Sequence, residues 1–299
     1  MGRLLNYFQN NQKVGTFGIK YLDDKIKGIL KADLILIGAR SGAGKSTIAD
    51  MIAQHNANEG HKVHIFSLEN FTDDAFATKA FYEYKRLTGD WKLTLREFAC
   101  GEFNIDTQSL LKAEQYAENC FKNVGITSRQ KGYDIKRLKD DIIRVVKDEG
   151  IELLIIDHLD YVDKNNPNEN DNTHITDLMK TIRELQDEFK VAVVAISHLR
   201  KNLGKDLPII PSVDEFIGSS NKVKESTAVI MIAPDDEENE KNQSPQKVTW
   251  FSIKKLRMGG IPNSSGKLIF DRDLGKYLDS YEEYVVRGTK KTKIEGRAA

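Results

Sequence analysis

Four short, mostly apolar runs punctuate the first two-thirds of the chain: Leu34-Ile35-Leu36-Ile37, Val63-His64-Ile65-Phe66, Leu153-Leu154-Ile155-Ile156 and Val191-Ala192-Val193-Val194-Ala195-Ile196. A strand that is apolar on both faces must be covered on both, as in a parallel sheet between helices. Between the runs the apolar spacing changes. Ile175, Leu178, Met179, Ile182 and Leu185 fall on one helical face, and so do Ile135, Leu138, Ile142, Ile143 and Val146 after Asp134. Strands alternating with helices predict βαβ units, hence an α/β fold with a mainly parallel twisted sheet flanked by helices.

Beyond Ala228 the texture differs. Val229–Ile232, Val248–Ile253 and Lys267–Phe270 read as strands joined by turns, expected to extend the sheet antiparallel at its C-terminal end. Asp235 to Gln246 is acidic and polar and predicts a solvated hairpin loop. Residues 1–15 have no strand pattern, although Leu4, Leu5, Tyr7 and Phe8 suit a short amphipathic helix. The expected organisation is a linker or subunit-docking segment over 1–15, one domain over 16–287 and a disordered tail over 288–299. Within that tail, Ile294-Glu295-Gly296-Arg297 reads like an engineered protease site.

No apolar run approaches the ~18 residues that span a bilayer, and the first residues are too polar for a secretory signal. Cys100 and Cys120 can form neither a zinc site nor a disulfide framework. A cytoplasmic protein without a membrane partner is expected. Lys plus Arg and Asp plus Glu number 45 each, so the formal net charge is zero. That argues against a surface coated in cations, but not against a local basic channel.

The strongest chemical signal follows the first apolar run. Ala39-Arg40-Ser41-Gly42-Ala43-Gly44-Lys45-Ser46-Thr47 joins it to the helical Ile48-Ala49-Asp50-Met51-Ile52. A Gly-rich turn between strand and helix aims backbone N–H groups at a phosphate, and the helix dipole assists. Lys45 would reach the β- and γ-phosphates of ATP, and the Ser46 hydroxyl would bind Mg²⁺. The usual glycine five residues before the Gly-Lys pair is here Ala39, with Gly38 just before it. Asp157, which ends the third run, can orient the metal, with Asp160 as the competing acid. Glu69, which closes the second run, can polarise a water or merely cap the next helix.

His198 ends the fourth run and can sense a terminal phosphate or simply cap a helix. The flexible basic stretch with Arg200, Lys201 and Lys205, and the later Ser220, Asn221 and Lys222, suits contacts to a nucleic-acid phosphate backbone without sequence reading. A merely solvated loop is the alternative. Lys255 and Arg257 would point to the same side of a strand and form a candidate clamp for a phosphate held by another subunit. Spacing alone favours an ordinary strand end with solvated charges.

Together these residues resemble the superfamily 4 ring helicases, the DnaB-type replicative helicases and the phage and mitochondrial helicase-primases. The likeness spans roughly residues 16–277. Ala39-Arg40-Ser41-Gly42-Ala43-Gly44-Lys45-Ser46 is similar to the DnaB loop Ala-Arg-Pro-Ser-x-Gly-Lys-Thr, although the Pro is missing. Phe66-Ser67-Leu68-Glu69 matches the family's Ser-Leu-Glu, whose Glu is the catalytic base; Asp157 matches the Walker B acid. Ser197-His198-Leu199 resembles the helicase-primase phosphate sensor. Asp214 to Ser226 resembles the segment with the DNA-binding loop, and Lys255-Leu256-Arg257-Met258-Gly259 the Lys-x-Arg element that supplies a trans arginine finger. The resemblance implies a RecA-like P-loop NTPase fold and an ATP-dependent DNA helicase working with Mg²⁺ as a homo-hexamer. It implies 5′ to 3′ movement, an isolated motor domain of bacterial or phage type, and a primase or helicase loader as further partners. A strand-exchange recombinase, a KaiC-like regulatory ATPase and a non-catalytic module stay open as alternatives.

Overall fold

The apolar runs become the middle of a ten-stranded sheet. The computed structural model describes residues 2–294 apart from 11, 41–42, 70–71, 129, 165, 167, 201–207, 242–245, 258–263 and 288. Helix α1 (Arg3–Asn10) and strand β1 (Lys13–Gly15) are followed by α2 (Lys20–Ile26) and β2 (Ile29–Leu30), which pairs antiparallel with β1. β3 (Leu34–Ala39) runs into α3 (Lys45–Asn58). β4 (Val63–Ser67) runs into three helices, α4 (Thr72–Thr88), α5 (Leu95–Cys100) and α6 (Thr107–Phe121). β5 (Val124–Ser128), α7 (Ile135–Asp148), β6 (Leu153–Asp157), α8 (Asp171–Phe189) and β7 (Ala192–His198) complete the alternation. A 3₁₀ turn at Leu159–Tyr161 follows β6. Then come α9 (Ser219–Glu225), β8 (Ala228–Pro234), α10 (Asp236–Lys241), β9 (Gln246–Leu256), β10 (Ser264–Asp271), β11 (Lys276–Arg287) and β12 (Lys290–Lys293).

The strand order is β12-β11-β10-β9-β8-β3-β7-β6-β4-β5. Strands β5, β4, β6, β7, β3 and β8 are parallel, and β9 to β12 add antiparallel. Because strand side chains alternate, each parallel strand feeds two cores. Ile35, Ile37, Ile65, Ile155, Val194 and Ile230 meet α3 on one face. Leu36, Phe66, Ile156, Val193 and Met231 meet α7 and α8 on the other, with Leu138, Ile142, Leu178 and Ile182. Helices α4 to α6 enclose a third, smaller cluster around Phe81, Tyr84 and Ala113. Among the described residues no helix is long and apolar enough to cross a membrane.

The expectations need correction in four places. Strand β8 is parallel to β3, and the antiparallel extension starts one strand later. The run Val229–Ile232 is buried on both faces, which is the mark of a parallel strand. Strand β5, which the sequence did not disclose, is an edge strand with only Val124 buried, so no continuous apolar run marks it. The acidic stretch after Pro234 contains α10, and Asp235 is buried and accepts a 2.9 Å bond from Trp250 Nε1. Residues 290–293 of the expected disordered tail form β12, paired with β11.

Candidate functional site

The Gly-rich turn lies where β3, flanked by β8 and β7, hands the chain to α3. Gly44 caps α3 with φ 75°, a left-handed conformation that glycine adopts at little cost. The displaced glycine has a packing reason. A Cβ on Gly38 would stand 2.4 Å from the Phe216 ring and 3.0 Å from Met231 Sδ, whereas Ala39 is accommodated in the opposite core. Lys45 is buried, and its Nζ rests 3.4 Å from the Arg40 carbonyl oxygen. Burial pushes its ammonium down, while Glu69, Asp157 and Asp160 pull it back up. The Arg40 side chain itself turns away, 3.5 Å from Glu215 Oε1. Ser41 and Gly42 lie outside the described residues. Ala43, Gly44 and Thr47 line a cavity of about 450 Å³ together with Phe270, Arg272 and Tyr277.

Strands β4 and β6 end beside this turn in register, with Ser67 opposite Asp157. The Asp157 carbonyl accepts from Leu68 N at 2.6 Å and Glu69 N at 3.3 Å, which brings Glu69 over the acid. The Ser46 hydroxyl bonds the Asp157 carboxylate, yet Oδ1 of that carboxylate is buried without a hydrogen-bond partner among the described residues. An orphaned buried carboxylate oxygen beside a hydroxyl suits a hard divalent cation. Burial pushes the Asp157 carboxyl above the ordinary range, and Glu69 adds to this against Ser46, His158 and Lys45. Ser46, Thr47, Asp50 and Asp157 share a second cavity of about 330 Å³.

Behind Glu69 lies His158, a residue that sequence reasoning passed over. It is wholly buried, with Nε2 3.1 Å from Glu69 Oε2 and Nδ1 3.5 Å from Asp160 Oδ2. Its ring stands edge-on to His198 at 3.8 Å between centroids. Ligand atoms of Glu69, His158 and His198 all lie within 4.8 Å of one another, so the ends of three strands converge here. Burial, His158 and Lys45 hold the His198 imidazole below its ordinary value, which favours the neutral ring. The only sequence sign of His158 is a histidine directly after the strand-end Asp157.

Asp160 takes a different place from Asp157. Its Oδ2 accepts from His198 N at 2.8 Å and from Ser197 Oγ at 3.0 Å. Its Oδ1 accepts from Lys222 Nζ at 2.6 Å. Lys222, grouped by sequence with the DNA contacts, is therefore wholly buried and cannot touch a strand outside. Arg200 and Ser220 are exposed, and Asn221 Nδ2 donates to Thr176 Oγ1 at 2.5 Å. Lys201 and Lys205 lie outside the described residues.

Lys255 and Arg257 are not near this cleft. β9 descends antiparallel from it, pairing Leu256 with Ala228 at the start of β8. The five steps of β3 from Leu34 to Ala39 amount to ~16 Å along the strands. At that far edge Lys255 Nζ donates to Val223 O and Arg257 Nη2 to Lys224 O, both at 2.6 Å, capping the C-terminal end of α9.

Residues 16–279 match the family model of the DnaB-like helicase C-terminal domain. The chain belongs to that family. The resemblance read from the sequence is thereby borne out. Replicative DNA helicase DnaB of Geobacillus stearothermophilus is 23% identical over 274 residues, covering 88% of this chain and 56% of that protein. Replicative DNA helicase DnaC of Bacillus subtilis (strain 168) is 23% identical over 274 residues, with the same 88% and 56% coverage. The chain thus spans about half the length of the curated relatives it matches. Among solved structures, a DnaB-like replicative helicase, described with its interactions with primase, superposes with a TM-score of 0.73 at 16% identity, over 92% of this chain and 65% of that one. An isolated ATPase domain gives 0.74 at 17% identity, over 92% of this chain and 94% of that one. The architecture is the RecA-like fold of DnaB-like ATPase domains.

Proposed function

We propose that this DnaB-like domain hydrolyses ATP and uses it to move along single-stranded DNA as part of a homo-hexameric helicase ring. The observation that carries the reading is one of placement. Lys45, Ser46, Glu69, Asp157 and His198 share the cleft at one edge of the sheet, whereas Arg257 stands at the opposite edge. The Arg40 side chain turns from that cleft toward Glu215. A far-edge arginine in such a chain suits assembly in which each subunit completes its neighbour's site.

In this reading Lys45 and the N-terminal N–H groups of α3 grip the phosphates. The cavity beside Phe270 and Tyr277 takes the base and ribose. Ser46 and Asp157 hold Mg²⁺, which when bound neutralises phosphate charge. Glu69 orients the attacking water and accepts its proton. His198, as a neutral imidazole, donates to the terminal phosphate and relays its presence into the loop after β7. Arg257, with Lys255, leaves the carbonyls of α9 to stabilise transition-state charge next door. Arg200, Lys201, Lys205, Ser220 and Asn221 track the DNA backbone; Lys222 is removed from that set. A primase or a loader as a further partner belongs to the same reading.

The deciding experiment is the ATPase rate with and without single-stranded DNA, on the wild type and on Arg257→Ala. Stimulation by DNA and loss in the variant are expected. Turnover indifferent to DNA would favour a KaiC-like regulatory ATPase instead.

A further inference from the structure

A line of close polar contacts joins the carboxylate of Glu69 to helix α9, and at its centre the two His158 ring nitrogens lie against carboxylates without completing a hydrogen bond. It runs from Glu69 Oε2 to His158 Nε2 (3.1 Å), from His158 Nδ1 to Asp160 Oδ2 (3.5 Å), and from Asp160 Oδ1 to Lys222 Nζ (2.6 Å). We propose that Asp160 and Lys222 are positioning residues for hydrolysis, which set Glu69 through His158 according to where α9 sits. The inference rests on the reading of Glu69 as the base that handles water.

Burial gives the line its stiffness. The Lys222 and His158 side chains are 0% exposed and that of Asp160 is 16% exposed. Lys222 Nζ has two partners, Asp160 Oδ1 and, at 2.8 Å, Ser197 Oγ. Leaving either buried charge alone is strongly unfavourable, so a displacement of α9 must carry Asp160 with it. Asp160 is also the acceptor for His198 N and Ser197 Oγ. One carboxylate therefore ties together the turn after β6, the end of β7 and α9.

The other side of α9 faces the regions that would change during a cycle. Its N-terminal end follows the loop that begins at Arg200, whose base is closed by a bridge between Leu199 and Phe216 and by Arg200 N donating to Glu215 O at 2.7 Å. Its C-terminal carbonyls are held by Lys255 and Arg257. A ligand in the loop, or withdrawal of Arg257 toward a neighbour, would each act on α9. Lys222 would pass that change to the base. An ordinary structural ion pair would need none of these connections, since a buried pair adds little stability over an apolar one.

The test compares wild type, Lys222→Met, the double variant Asp160→Asn/Lys222→Met and Lys45→Ala, all in the full chain. The readouts are kcat and KM for ATP with and without an oligo-thymidine strand, and the melting temperature. Lys222→Met is expected to lower kcat by about 10²-fold, the cost of a ~1 Å misplacement, while KM stays within roughly threefold. The double variant removes both charges, so it should regain the wild-type melting temperature while kcat and DNA stimulation stay low. If the double variant regains kcat together with melting temperature, the pair is only structural and the proposal falls. If Lys45→Ala abolishes turnover while Lys222→Met keeps it, this proposal fails and the ATPase reading stands. If Lys45→Ala hydrolyses ATP like wild type, both are overturned.

Discussion

Oε2 of Glu69 lies 3.1 Å from Nε2 of His158, so a solvent-facing carboxylate at the mouth of the cleft is backed by a wholly buried imidazole. A free Glu side chain would surrender rotamer entropy on each encounter with a substrate. Here the buried ring leaves the carboxylate fewer directions to turn in. The backbone adds to this, because Leu68 N and Glu69 N both donate to the Asp157 carbonyl and fix how far the Glu69 backbone stands from that acid.

Glu69→Gln keeps the shape and removes the base. Turnover should fall by about 10²–10⁴-fold, with nucleotide affinity within roughly threefold of wild type. Steady-state hydrolysis and titration with a fluorescent nucleotide check the two halves. A variant that turns over normally would assign the proton to another group.

Asp50 offers a pH-dependent test. It faces the cavity shared by Ser46 and Asp157. Burial pushes its carboxyl up to about 7 and Asp157 adds to this, while Lys79 opposes both. The folded-state value is raised above the unfolded one. The stability it contributes is therefore present in full below about 4 and lost as pH rises through about 7. Asp50→Asn should thus raise the melting temperature more at pH 8 than at pH 5, by roughly a few degrees, in the absence of divalent cations. An equal gain at both values would rule the assignment out.

Much of this site was readable because its parts are local. The turn from Ala39 to Thr47 lies between one apolar run and one helix, and Glu69 and Asp157 close two further runs, so a linear reading places them at one sheet edge. What escaped was decided by distant partners. Nothing near Lys222 in sequence marks it as buried; its fate is set by Asp160, 62 residues earlier. The basic, Ser-rich segment around it looked like a DNA surface, and Arg200 and Ser220 keep that exposure where Lys222 does not. His158 likewise acquires meaning only when β4 and β7 bring Glu69 and His198 to it.

The shift of glycine from position 39 to position 38 is another such case. A Cβ at Gly38 would meet the Phe216 ring at 2.4 Å and 2.6 Å. Phe216 is itself fully buried among core side chains. Gly38→Ala should cost about 1–3 kcal/mol, the usual range for overpacking a core. Urea denaturation measures it. An unchanged midpoint would mean that the Phe216 ring rotates freely out of the way.

Arg257 cannot reach the phosphate turn of its own chain, since the strands separate them by ~16 Å along the sheet and by two strand positions sideways. If it acts in hydrolysis, it acts on a neighbour, and defects in loop and finger must then complement. Lys45→Ala carries an intact finger and a dead loop; Arg257→Ala carries the reverse. Each interface combines one loop with one finger, so in an even mixture about one interface in four joins two intact parts. Either variant alone should be nearly inactive, and mixing them should restore up to about a quarter of wild-type turnover, less if neighbouring sites must fire together. The hydrolysis rate across mixing ratios checks this, with subunit exchange verified by fluorescence transfer. Exchange without any recovery would leave Arg257 only as a cap on the Lys224 carbonyl, and the complementation across subunits would fail with it.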